Sequence, residues 1–449
     1  ASSTTIPAKK ANKKASAKAA ATVAASHAKA PKDLTFDATT LGTLDPAYVA
    51  RVFKEGFISA RGWDHLRTGY RYTGVDHSFC GNRFLYLWWN LVVERFVPLW
   101  VAPNLLTLLG FLCNFGAFLL SAYNTDNMQG AAPPYVWVIV GISIFAYQTF
   151  DSIDGRQARR TNTASPLGEL FDHVCDSAIC ILFVLNMGCM LHLGPVWTWV
   201  LCWAILTPFY LCHWEEYYTG ILEMGEFNGP VEAQLFAMLT CFFTAGASTY
   251  DPIFWAREAA YGFTRGQCFI LFFYSIVLPT AATHVWKVAS SLRDRKGLGK
   301  AFAQLFPLAW LGLMGTSWVW SAMHVFLIHP HTFLLAFGAA FAYITRMCHE
   351  PIRPFYTILV PLTFGALNSL VPYLTSHIIK PWVEEERMVA IFFVYAVGSF
   401  LFLCYSLTQQ LCRYLKIRAF AIPYPTAASG ARHAARPPAA ATASRHTSL

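Results

Sequence analysis

Ten stretches of about 20 mostly apolar residues follow one another along this chain, each long enough to cross a hydrocarbon core of roughly 30 Å as a helix. They cover approximately 103–123, 134–153, 170–192, 195–215, 231–248, 267–287, 303–325, 331–348, 355–376 and 388–411. The composition agrees with a chain that lives in a bilayer: 55% of residues are hydrophobic and 13% charged, against about 25% charged in soluble globules. Aromatic residues make up 16%, with Trp and Tyr often near stretch ends, where they suit the membrane interface. The expected fold is an all-α integral membrane protein of about ten transmembrane helices. Ahead of them, Arg83 to Val101 is aromatic yet carries Arg83, Glu94 and Arg95, which disfavours spanning and predicts an N-terminal helix lying in the interface.

Charge gives the expected sidedness. RQARR (156–160), KVASSLRDRK (287–296), RMCHEPIR (346–353) and CRYLKIR (412–418) follow the second, sixth, eighth and last stretches, while 124–133, 193–194 and 326–330 contain no Lys or Arg. Lys and Arg collect on the cytosolic side of short loops, so one alternating pattern puts both termini and every strongly basic loop in the cytosol. Residues 249–266 and 377–387 have mixed charge and do not bear on the pattern. Residues 1–32 hold seven Lys and no acid among many Ala and Ser, too little apolar surface to offset chain entropy. Residues 1–44 are therefore expected to be a disordered basic cytosolic tail, 45–420 the membrane-embedded domain, and 421–449, rich in Ala, Ser, Pro and Arg, a second disordered tail. The net charge of +9 lies largely in tails and loops, where topology and anionic lipid explain it without nucleic acid. The twelve Cys are scattered without a CxxC pair, so neither a disulfide framework nor a zinc site of that kind is expected.

The segment Thr149 to Ser177, TFDSIDGRQARRTNTASPLGELFDHVCDS, carries the chemistry. Ionisable groups near the ends of apolar helices are costly and normally face a protein interior or a watery cavity. Asp151 and Asp154 are three apart and Asp172 and Asp176 four apart, so each pair shares a helical face. If the two helices are antiparallel neighbours joined by an Arg156–Leu167 loop, the four carboxylates converge and require cations among them. Hard oxygen ligands of this type suit Mg²⁺ or Mn²⁺, which commonly bridge carboxylates to substrate phosphates. Gly155 lets a substrate approach the backbone, Arg159 can fork onto phosphate oxygens, and Ala158 and Gly168 are small for packing or access. Helix capping by single aspartates and topology signals from Arg156, Arg159 and Arg160 account for individual residues but not for the shared faces or the small residues.

Asp151 to Asp176 match D-x2-D-G-x2-A-R-x8-G-x3-D-x3-D throughout, and on this motif the chain resembles the CDP-alcohol phosphotransferases. APNLLTLLGF (102–111), ARRTN (158–162), PLGELFDHVCDS (166–177) and HWEEYYTG (213–220) are similar to the eukaryotic choline/ethanolamine branch, over roughly residues 45–420. The resemblance implies a ten-helix, often dimeric fold with two divalent ions, Mg²⁺ or Mn²⁺, held by Asp151, Asp154, Asp172 and Asp176 in a cytosol-facing chamber. It implies CDP contacts at Asn104, Gly155 and Arg159, catalysis by Arg159 and His173, and His173 as the general base. The residues alone leave His173 open between base and orienting partner of Asp172, with Asp176 as the rival base.

The implied reaction moves phosphoethanolamine or phosphocholine from CDP-ethanolamine or CDP-choline to diacylglycerol, without a phosphoenzyme, in the endoplasmic reticulum or Golgi membrane. His213, Glu215, Glu216 and Tyr217 form a further polar group beside aromatic rings, as an ammonium head group favours, although an ordinary helix end meeting water has the same appearance. His329, His331 and Glu350 carry no expected chemistry. Two other classes also use intramembrane carboxylates. Mg²⁺-dependent prenyltransferases spread them over separated helix pairs, whereas both pairs here fall within one short segment. Transporters distribute charges along a path, whereas these gather near one surface.

Overall fold

The computed structural model describes residues 52, 54–59, 62–64, 66, 74–292, 295–345 and 356–422. The basic loop 346–353 with Glu350, and nearly all of both expected tails, lie outside the described residues. After a short strand β1 (Gly74–Asp76) and a π-helical turn (Gly81–Leu85) comes α1 (Tyr86–Arg95). Six long helices follow: α2 (Pro103–Asn124), α3 (Pro134–Arg160), α4 (Pro166–Met190), α5 (Gly194–Thr219), α6 (Pro230–Tyr250) and α7 (Arg265–Ser291). The remainder is α8 (Arg295–Ala303), α9 (Phe306–Ser321), α10 (Met323–Ile328), α11 (Pro330–Thr345), α12 (Leu359–Leu374) and α13 (Glu385–Leu415). Among the described residues the strands are β1, pairing in parallel with β2 (Leu222–Met224), and a small antiparallel pair, β3 (Glu258–Ala260) with β4 (Phe263–Thr264).

Among the described residues seven helices, α2 to α7 and α13, are long and apolar enough to span. The shorter apolar helices α11 and α12 and the interrupted pair α9–α10 occupy the other expected stretches. The expected span 303–325 differs most: Ala322 leaves helical geometry at φ −113°, ψ 38°, and splits the segment without a Pro or Gly to mark it. Proline starts four of the long helices. Pro103, Pro134, Pro166 and Pro230 occupy first-turn positions whose N–H would lack an intrahelical partner in any case.

Burial is uneven, and that locates the core. α4 has 78% of its apolar window buried, packed by α2, α5, α11 and α13, whereas α7 has 17% and stands at the periphery. Close approach of α11 to α4 requires Gly338: a Cβ there would lie 2.5 Å from Ile181 Cβ. α1 and the turns flanking it run along α3 and bury Trp89, Val93, Val97 and Val101 against Leu106 and Ile153, while Phe84, Leu87, Leu91, Phe96 and Trp100 stay exposed. That two-faced character is the one expected of an interfacial helix, but the helix ends at Arg95, not Val101, and continues as a turn.

Candidate active site

The site lies where α2, α3 and α4 meet. The sequence suggests that α3 stops near residue 153 and that residues 156–167 form a loop. Instead α3 stays helical to Arg160 and only residues 161–165 connect it to α4. The polar last turns survive because α1 and the turn after it fasten them. Gln157, fully buried, donates to the carbonyls of Pro98 and Val101 at 3.0 Å, and Arg160 donates to those of Val93 and Val97. Arg156 donates to Asn90 at 2.7 Å and lies over the rings of Tyr86 and Trp89. The connection is ordered at its far end by Ser165, whose hydroxyl accepts from Gly168 N at the start of α4.

Two helices arranged this way bring carboxylate oxygens of Asp151, Asp172 and Asp176 within 4.8 Å of one another. Asp154 stands outside that trio. It is nine-tenths buried, lies beside Asp172, and accepts a hydrogen bond from Thr107 on α2. Tyr147, one turn before Asp151, donates its hydroxyl to Asp176. Asp151 Oδ1 and Asp172 Oδ1 are buried and have no hydrogen-bond partner among the described residues. An orphaned buried carboxylate oxygen is expensive, and two of them within an all-oxygen trio fit a hard divalent cation.

The remaining candidates border this cluster. Asn104, in the first turn of α2, is buried, and its side-chain oxygen would lie 3.7 Å from a Cβ at Gly168. A Cβ at Gly155 would meet only the Arg159 guanidinium, at 3.5 Å. The two glycines thus leave open the spaces that Asn104 and Arg159 border. Among the three arginines of this turn, Arg156 and Arg160 are committed to α1, while Arg159 is exposed. Ala158 sits half-buried between them in sequence.

His173 does not join the aspartates in that trio. It is buried and forms a second group with His213 and Glu216 on α5, one ligand atom from each lying within 4.8 Å of the others. Helical rotation explains the separation: one residue on from Asp172 is about 100° around the axis. Glu215, expected with Glu216 and Tyr217 near a head group, is engaged elsewhere. Its two oxygens meet His284 Nδ1 at 2.6 Å and Lys287 Nζ at 3.0 Å, because adjacent residues on α5 face different neighbours. Tyr217 is half-buried, with its ring against that of Tyr218. His329 and His331 lie before and within α11, and the His331 ring packs near Phe118.

Thr107, Tyr147 and Gln157 are site-supporting residues that sequence reasoning missed. Tyr147 was accessible from spacing, four residues before Asp151. Thr107 and Gln157 needed knowledge of which helices pack beside α3.

Comparison with known proteins adds an independent line. Residues 100–257 match the family model described as CDP-alcohol phosphatidyltransferase. The chain is similar to the "Uncharacterized CDP-alcohol phosphatidyltransferase class-I family protein 2" of Dictyostelium discoideum, 40% identical over 84% of this chain and 90% of the relative. It is also similar to Choline/ethanolaminephosphotransferase 1 of Arabidopsis thaliana, 32% identical over 82% of this chain and 98% of that protein. Ethanolaminephosphotransferase 1 of Mus musculus is 28% identical over 79% and 92% respectively.

Proposed function

The chain belongs to the CDP-alcohol phosphatidyltransferase family, and from that premise we propose that it transfers phosphoethanolamine or phosphocholine from the CDP-alcohol to diacylglycerol, releasing CMP. The chain is accordingly a membrane enzyme of transferase type, and membership sets aside the prenyltransferase and transporter readings. The observation that carries the reaction is the convergence of Asp151, Asp172 and Asp176 from two stretches of one signature, with Asp154, Asn104, Gly155, Gly168 and Arg159 around them.

Asp151, Asp154, Asp172 and Asp176 would hold the metal, with Thr107 and Tyr147 fixing two of the carboxylates. Bound there, Mg²⁺ or Mn²⁺, taken as two ions, supplies positive charge to the two phosphates of the donor. Asn104, Gly155, Ala158 and Gly168 form the bed for the CDP moiety, and Arg159 stabilises negative charge on the transferring phosphoryl group. The acceptor hydroxyl forms a bond to the phosphorus bearing the amino alcohol while the bond from that phosphorus to the CMP oxygen breaks. His173 takes the hydroxyl proton, and CMP leaves with the bonding electrons. The separation of His173 from the aspartate trio supports that role, since an imidazole kept off a metal retains its lone pair for a proton. His213, Glu216 and Tyr217 border the amino-alcohol end; Glu215 is occupied by its ion pairs.

The same reading has the domain spanning 45–420, the site and both termini facing the cytosol, residence in the endoplasmic reticulum or Golgi membrane, and a homodimer. Its test is purified full-length chain with Mg²⁺ and diacylglycerol, measuring CMP release from CDP-ethanolamine and CDP-choline. Release is expected from at least one donor, and Asp176→Asn should lower it on the order of 10²-fold or more. If neither donor yields CMP, the proposal fails.

A further inference from the structure

Besides the aspartates, one more group of metal-competent side chains stands together on the described part of the chain. His173 comes from α4, and His213 and Glu216, three apart and therefore on one face, come from α5. With their ligand atoms all within 4.8 Å of one another, an atom at the centre can lie under about 3 Å from each. A small contraction would reach the roughly 2.0–2.2 Å of imidazole and carboxylate bonds to zinc.

Two further observations point to a guest. Glu216 Oε2 is buried and lacks a hydrogen-bond partner among the described residues, although it lies beside two imidazoles. His213 Nδ1 is 2.9 Å from the Phe209 carbonyl. Donation of Nδ1–H to that carbonyl leaves Nε2 as a lone-pair donor and fixes the ring plane, which is how metal-bound histidines are commonly oriented. The His173 ring meets His213 edge-on, with centroids 5.0 Å apart. Chemistry separates this group from its neighbour: three carboxylates suit Mg²⁺, whereas two imidazoles and one carboxylate suit a borderline transition cation.

We propose that His173, His213 and Glu216 form a second cation site, selective for a transition ion of the Zn²⁺ class and distinct from the aspartate cluster. Its effect on turnover rests on the reading of His173 as base. An ion held there takes the lone pair that would accept the proton, so Zn²⁺ inhibits even when Mg²⁺ is saturating.

The experiment uses purified full-length chain in excess Mg²⁺, titrated with Co²⁺ and followed by its visible ligand-field absorption, with Zn²⁺ as competitor. One Co²⁺ per chain that Mg²⁺ does not displace but Zn²⁺ does is expected. Glu216→Gln and His213→Gln should each weaken its binding at least about tenfold while the variants remain monodisperse and helical. Absence of a Mg²⁺-resistant Co²⁺ signal overturns the site, as does a signal unchanged in both variants. Co²⁺ binding that depends on Glu216, together with undiminished CMP release under Zn²⁺, upholds the site and counts against His173 as the base.

Discussion

At the scale of single residues, the proposed reaction divides the site into groups that would meet the metal or reactants and groups that hold those groups still. His173→Ala should lower kcat by about 10²–10⁴-fold while leaving CDP-alcohol binding, measured by calorimetry, within about threefold. An equal loss in binding would instead make His173 a structural partner of Asp172. Thr107→Val removes the hydroxyl that donates to Asp154 and should weaken Mg²⁺ activation by about 10–100-fold, read from the Mg²⁺ dependence of CMP release. The shared faces of the two aspartate pairs were legible because helical spacing is local: three or four residues apart means one face. Thr107 was not, because its partner lies 47 residues away and is chosen by how α2 packs on α3. Glu215 and Glu216 show the same limit more sharply. The two are chemically identical and adjacent, yet one meets Lys287 and His284 while the other faces His173 and His213.

At the scale of elements, hydrophobic runs located the helices well, and the polar turns that extend them were harder to read. α3 continues nine residues past Asp151 because Gln157 and Arg160 find acceptors on the end of α1 and the turn that follows it, a tertiary contact that no window along the chain contains. The end of α5 depends on a similar contact. Lys287 on α7 bridges Glu215 on α5 and Glu223 on β2, whose strand pairs with β1. Lys287→Met leaves a buried Glu215 with His284 alone and should destabilise the folded state by about 1–3 kcal/mol, seen as a lower Tm in detergent. Lys287→Arg should recover most of that loss. At the α4–α11 contact, Gly338→Val forces a side chain into Ile181 and should cost about 1–3 kcal/mol in the same assay, with the helices separating or the chain failing to accumulate if the contact cannot shift.

At the scale of the whole molecule, the expected topology becomes a question of which helix ends share a side. The short connection 161–165 adjoins the aspartate site, and the loop carrying the fully exposed Tyr261 joins the opposite ends of α6 and α7. In membrane vesicles, a sole cysteine at Ala164→Cys should react with an impermeant maleimide from the cytosolic side, and one at Tyr261→Cys only after permeabilisation. The reverse pattern would overturn the orientation. α1 adds a constraint of another kind. Its exposed apolar face is free to rest among lipid head groups, while the helix and the turn after it are bolted to α3 by Arg156, Gln157 and Arg160 within ten residues of Asp151. On the proposed reaction the helix would then work as a depth gauge, registering the carboxylates against the membrane surface so that a lipid hydroxyl at the glycerol level meets them without leaving its leaflet.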